Sequence, residues 1–193
     1  MRALLYPIPA VPVPGEPPAG FEEVVLRSAA GDRLHGWHRP ASDPGRPAVV
    51  FFHGNGENLG TLARSGTLEE LSKLGASALV LDYPGYGRSS GRPSEEGIVA
   101  AGAAALDWLT AQHPRRPLVA MGWSLGAAVA VQLAATGDDL DGLVVLSPWC
   151  SLEEVARAHY PGWMVQLFLR ERYDSLSAAG GVRAAILVLH GEE

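Results

Sequence analysis

One stretch constrains this chain more than any other. Residues 118–121 are a short apolar run, Leu-Val-Ala-Met, which reads as a buried strand. Gly122-Trp123-Ser124-Leu125-Gly126 follows at once, and then a small-residue run through Val129, Ala130, Val131 and Leu133 that reads as a buried helix. A strand that turns into a helix within five residues leaves room for little but hydrogen at the two flanking positions, so Gly122 and Gly126 are required by space. Ser124 then sits at a strained backbone position with its hydroxyl raised above the sheet. The free N–H groups and positive end of the following helix point at whatever meets it. Trp123 reads as a packing residue.

The remaining chain repeats the same alternation. Residues 21–27 and 33–39 are β-rich and joined by a turn at Ala30-Gly31-Asp32. His35 and His38 fall in the second of these as half-exposed structural histidines, with no third partner to make a metal site. After a turn at Asp43-Pro44-Gly45, the continuous apolar run 48–52 has the character of a parallel strand buried on both faces; 77–81 is the next apolar strand, 143–146 a further buried one and 185–189 the last. Leu59, Leu62, Leu68, Leu71 and Leu74 place one amphipathic helix between the first two runs. Ser94 with Glu95 and Glu96 opens another, buried along Ile98, Ala101, Ala105, Trp108 and Leu109. A Gly137-Asp138-Asp139 turn closes the helix after Ser124. The pattern predicts an α/β fold with a doubly wound, mostly parallel sheet. Its functional loops lie beyond the carboxyl ends of the strands, at His53-Gly54-Asn55, Gly85-Tyr86-Gly87, Ser124 and Pro148.

Two segments stand outside the alternation. Residues 1–20 form a proline-rich arm, with prolines at 7, 9, 12, 14, 17 and 18, that is extended over the surface or loose. Residues 21–193 form the domain itself. Within it, residues 149–178 gather Trp163, Met164, Leu167, Phe168 and Leu169 into an apolar group suited to a small lid.

At 193 residues, 47% hydrophobic and 19% charged, the chain is a single ordinary globular domain. A net charge of −6 argues against nucleic acid as a partner. The only lysine among 15 basic residues is Lys73, which leaves 14 arginines and suggests a GC-rich, bacterial genome. A lone Cys150 excludes an internal disulfide or thiolate metal site and fits the cytoplasm. No run approaches the length of a membrane span, and no metal or organic cofactor is implied.

Phe52-His53-Gly54-Asn55-Gly56-Glu57-Asn58, Asp82-Tyr83-Pro84-Gly85-Tyr86-Gly87-Arg88-Ser89, Gly122-Trp123-Ser124-Leu125-Gly126 and Leu189-His190-Gly191 together resemble the α/β-hydrolase superfamily. More narrowly they resemble its Bem46-like branch, which groups with serine aminopeptidase-like hydrolases. The resemblance runs from about residue 21 to residue 191. It implies that Ser124 is a nucleophile and that the backbone N–H groups of Leu125 and Asn55 form an oxyanion hole. His53, with Gly54, implies loop support rather than a catalytic base. The substrate it implies is a small acyl compound, an ester, thioester or peptide.

The same resemblance places a catalytic acid a few residues beyond His190-Gly191 and a catalytic histidine after a further strand. Neither is found here. The sequence therefore reads as truncated before both, lacking its C-terminal strand and helix, and nearly inactive alone. Glu192 or Glu193 as the acid would have no histidine to serve. His113 is expected at the wrong end of the sheet, and His159 in the lid is a remote candidate base. An apolar edge strand at 185–189 would favour self-association. The alternative is a non-catalytic binding or scaffold protein that has kept the turn at Ser124 and lost the rest. Oligomeric state is not legible.

Overall fold

The computed structural model describes residues 5–43, 45–137 and 140–191. The turn residues Pro44, Asp138 and Asp139 and the candidate acids Glu192 and Glu193 lie outside them. Seven strands form one sheet in the order β1-β2-β4-β3-β5-β6-β7. β1 (Glu22–Arg27) and β2 (Arg33–Arg39) pair antiparallel, and β2 joins β4 (Ser77–Leu81) antiparallel. From there β3 (Ala48–Phe52), β5 (Leu118–Trp123), β6 (Gly142–Leu146) and β7 (Ala185–Leu189) are all parallel.

Successive strand residues point to opposite faces, so each central strand serves two cores. Ala48, Val50, Phe52, Leu79 and Leu81 face one layer with α3 (Glu95–Gln112) and α4 (Leu125–Thr136). Phe51 and Val80 face the other, with α1 (Leu59–Ser65) and α2 (Thr67–Lys73). α4 is apolar nearly all round and buried along 125–131, as a helix of that composition must be. α3 starts where the sequence places it: Ser94 Oγ accepts from the Gly97 N–H at 3.1 Å. No helix among the described residues is long and apolar enough to cross a membrane.

Three local expectations are corrected. The helix read as one from Leu59 to Leu74 is two, because Gly66 adopts a left-handed φ of 82° that breaks it, and Leu74 is exposed. His35 and His38 are buried rather than half-exposed, because β2 lies inside the sheet between β1 and β4 and Trp108 covers His38. Trp123 is 46% exposed instead of packed. It is the last residue of β5 and projects where the sheet ends.

Between β6 and β7 lie α5 (Leu152–His159), α6 (Gly162–Phe168) and α7 (Ser175–Ala179). The apolar group expected there exists but is largely open, with Trp163 and Leu167 each about two-thirds exposed and Val165 the buried member of α6. β7 is exposed along its whole length.

Candidate active site

Strand register puts the carboxyl ends in one row. Phe52 stands opposite Gly122, Trp123 opposite Leu146, and Leu146 opposite Leu189. His53, Ser124, Ser147 and His190, the next residues along or one beyond, therefore share one edge of the sheet. Ser77, at the start of β4, marks the opposite edge, and His113 Nε2 lies 2.8 Å from its hydroxyl. That places His113 at the amino end, as expected.

At the junction of β5 and α4, Ser124 has φ 52° and ψ −111°, and its N–H donates to the Leu146 carbonyl at 3.0 Å. The space argument for the glycines holds. A Cβ on Gly122 would overlap the Gly126 carbonyl, and one on Gly126 would overlap the Phe52 carbonyl and lie 2.8 Å from that of His53. α4 thus begins pressed against the end of β3, which brings the 53–55 loop beside Ser124. Non-glycine residues with positive φ among those described are Ser124, Ser147 and Tyr173. Strained backbone of this kind concentrates at functional sites, and the first two occur at this edge.

The loop after β3 is fixed from several sides. Gly54 N–H donates to Glu57 Oε2 at 2.6 Å. The Tyr86 hydroxyl donates to Asn55 Oδ1 at 2.9 Å, and Asn55 Nδ2 donates to the Leu5 carbonyl at 2.6 Å. Among the described residues the backbone N–H groups of Asn55 and Leu125 have no hydrogen-bond partner. His53 is fully buried, stacked on Tyr83 with ring centroids 4.0 Å apart, and its carbonyl accepts from the Tyr83 hydroxyl at 2.8 Å. Burial pushes its pKa down, so the ring is neutral, and Nδ1 donates its proton to the Gly54 carbonyl at 2.9 Å. The contacts of the ring are thus with Gly54 and Tyr83.

No histidine among those described is hydrogen-bonded to Ser124. His35 is held between Glu23 (2.9 Å) and Asp82 (3.4 Å). His38 and His113 flank Ser77 at the far edge. His159 ends α5 exposed, and His190 bonds the Gly191 carbonyl at 3.0 Å. His190 and Trp123 do share a hollow of about 200 Å³ with Ser147 and Leu189.

Sequence reasoning passed over Asp82 and Tyr6. Asp82 is fully buried, and its carboxylate accepts the N–H of Leu59 at 2.9 Å and of Arg88 at 3.0 Å, joining the start of α1 to the Gly85-Tyr86-Gly87 turn. A charge directly ending the apolar run 77–81 was its signal. Tyr6, in the arm, is buried with its hydroxyl 3.0 Å from that of Tyr173. Nothing in the sequence marks that pair.

A sequence profile of the alpha/beta hydrolase fold matches residues 47–187. The chain belongs to the α/β-hydrolase family. Within it the chain falls in the branch that contains Bem46 of fission yeast. It is 40% identical over 98% of its length to an uncharacterised Mycobacterium tuberculosis protein, of which it spans 68%. It is 28% identical to the zebrafish lysophosphatidylserine lipase ABHD12 over 81% of its length, spanning 46% of that protein. The Pyrococcus furiosus esterase Pf2001 shares the α/β-hydrolase fold with a TM-score of 0.73 at 20% identity, covering 94% of this chain and 76% of the esterase.

Proposed function

We propose that this α/β-hydrolase chain carries the nucleophile and oxyanion donors of a serine hydrolase. The observation that carries the reading is Ser124 itself: a non-glycine residue at φ 52° between a strand end and a helix start, flanked by two glycines that admit no side chain. Attack by Oγ on an acyl carbonyl forms a C–O bond, passes the hydroxyl proton to a general base, which returns it to the leaving group, and places negative charge on the carbonyl oxygen. The unpartnered N–H groups of Leu125 and Asn55 stabilise that charge without reorganising, each worth about 3 kcal/mol of barrier. Loss of the leaving group gives an acyl-enzyme, which water then hydrolyses. Esters come before thioesters and peptides because the relatives include a lipase and an esterase.

The base and acid of this scheme are not among the described residues, and the proposal takes them from outside these. Ser124 without a base would lose about 10⁶ in rate. The same observation favours a second reading, a binding protein on this fold that has no hydrolytic activity. A fluorophosphonate probe separates the two. Labelling that disappears in Ser124→Ala supports the hydrolase; equal labelling of both proteins, or no labelling of a protein in which the base and acid are also present, removes it.

A further inference from the structure

The proline-rich arm does not lie loose. The Leu5 carbonyl accepts from Asn55 Nδ2 at 2.6 Å, and the Val11 carbonyl accepts from Asn58 Nδ2 at 2.8 Å. Between them, Pro7 Cγ stands 3.6 Å from the place that a Cβ on Gly56 would take, and a Cβ on Gly60 would overlap the Pro12 carbonyl. These contacts strap residues 5–12 across the loop after β3.

The strap bears on one side chain in particular. Asn55 is held at both ends of its amide, with Oδ1 accepting from the Tyr86 hydroxyl at 2.9 Å and Nδ2 donating to Leu5. An amide can do both at once; a carboxylate has no proton to donate, and an apolar group neither gives nor accepts. Asn55 also lies between two glycines, and the second, Gly56, has a left-handed φ of 73°. Backbone of that kind is free to rock unless something else holds it. The two side-chain bonds supply the hold, and so set where the Asn55 N–H points.

The residue after Leu5 carries the tie further. Tyr6 is 2% exposed, and its hydroxyl lies 3.0 Å from that of Tyr173, in the segment between β6 and β7. Tyr173 is fully buried at φ 39° and gives its N–H to Glu95 at 2.8 Å. Covering apolar surface would need only two phenylalanines there. A buried pair of hydroxyls adds direction, because a hydrogen bond fixes distance and angle where apolar packing tolerates sliding.

We propose that Tyr6 and Tyr173 are positioning residues of the site. Their hydroxyl pair fixes the arm beside Leu5, and the Leu5 carbonyl fixes the Asn55 amide. The segment between β6 and β7 thereby sets the aim of the Asn55 N–H. Use of that N–H as an oxyanion donor rests on the hydrolase reading; the tie itself does not.

Tyr6→Phe removes the bond and keeps the ring. In amide NMR spectra of the chain, the backbone and side-chain signals of Asn55 should move while those of β3 and β5 stay in place. The Asn55 side-chain protons should exchange about fivefold faster, the factor that one net hydrogen bond is worth. In a protein in which the base and acid are also present, the maximal rate of fluorophosphonate labelling should fall by a similar factor at an unchanged half-saturating concentration. That split follows because the oxyanion forms only in the transition state. A strap that merely held the arm down would lower the melting point and move neither reading. Tyr173→Phe should match Tyr6→Phe, the double variant should lose no more than either alone, and Tyr173→Phe decides should Tyr6→Phe fail to fold. Unmoved Asn55 signals in a folded variant, or Ser124-dependent labelling at an unaltered maximal rate, overturns the proposal. Asn55 signals that follow Tyr6, in a protein without Ser124-dependent labelling, uphold the tie and remove the hydrolase reading instead.

Discussion

Gly126 faces the main-chain carbonyl of Phe52 across a gap too small for a methyl group. Helix propensity alone would favour alanine at this position by about 1 kcal/mol. The overlap is with backbone of a central strand, which cannot rotate away, so the clash decides the sign. Gly126→Ala should destabilise the fold by about 2 kcal/mol or more, read as a lower urea midpoint at unchanged slope. A midpoint equal to that of the unaltered chain would show that α4 can shift off β3.

Asp82 and Glu23 both touch His35, yet they should differ sharply in cost. Asp82 is fully buried and accepts two backbone N–H groups, so Asp82→Asn turns an amide donor toward at least one of them. That should cost about 2–3 kcal/mol. Glu23 also pairs with Arg88 at 3.0 Å but is more than a third exposed. Glu23→Gln should cost less than about 1 kcal/mol. Equal losses in denaturation experiments would refute the assignment of the buried carboxylate as the tie between α1 and the Tyr86 turn.

Stability should fall with mild acid. Burial lowers the pKa of His53, of His38 (with His113 adding to it) and of His113 (with Arg116 adding to it). Glu22 pulls the other way on His38, and the hydrogen bond to the Gly54 carbonyl, Asp82 and Glu57 on His53, without reversing either shift. The unfolded chain then takes up protons first as pH drops below the ordinary histidine value of 6.5, so stability is full above that value and is lost below it. The urea midpoint should decline from pH 8 to pH 5.5, and His113→Gln should flatten the decline. A midpoint constant over that range contradicts the burial argument.

Glu95 should hold the segment before α7 to α3. Its carboxylate accepts the N–H groups of Arg172 at 2.6 Å and Tyr173 at 2.8 Å, as well as Gln132 Nε2 at 2.9 Å. Glu95→Ala leaves those donors without an acceptor. Hydrogen exchange at the Arg172 and Tyr173 amides should accelerate by tenfold or more, with the β3 and β5 amides unchanged. Uniform acceleration across the sheet would mean that Glu95 stabilises the whole domain instead.

Much of the fold was legible because its signals are local. The apolar runs 48–52 and 77–81 became central strands, and Ser124 stands at the strand–helix junction that the spacing of Gly122 and Gly126 demands. What escaped depends on neighbours that only the fold supplies. His35 and His38 look half-exposed in a strand of mixed character until β4 and Trp108 close over them. Gly66 looks tolerable inside a helical repeat until its left-handed φ splits the helix. Trp123 looks like core until the sheet ends beneath it. The tie of Leu5 and Val11 to the loop after β3 was invisible for a different reason: the arm contributes carbonyl oxygens there, and every residue has one.

Bonds to carbonyls are indifferent to which residue carries them. Leu5 and Val11 can change side chain while both keep their hydrogen bonds to Asn55 and Asn58. Related chains can therefore diverge in this region without losing the strap, and low identity there is poor grounds for trimming it from an expression plasmid. The practical corollary concerns tags. A purification handle fused directly to Leu5 would begin at the residue whose carbonyl holds the Asn55 side chain, so the choice of end for an affinity sequence bears on the site.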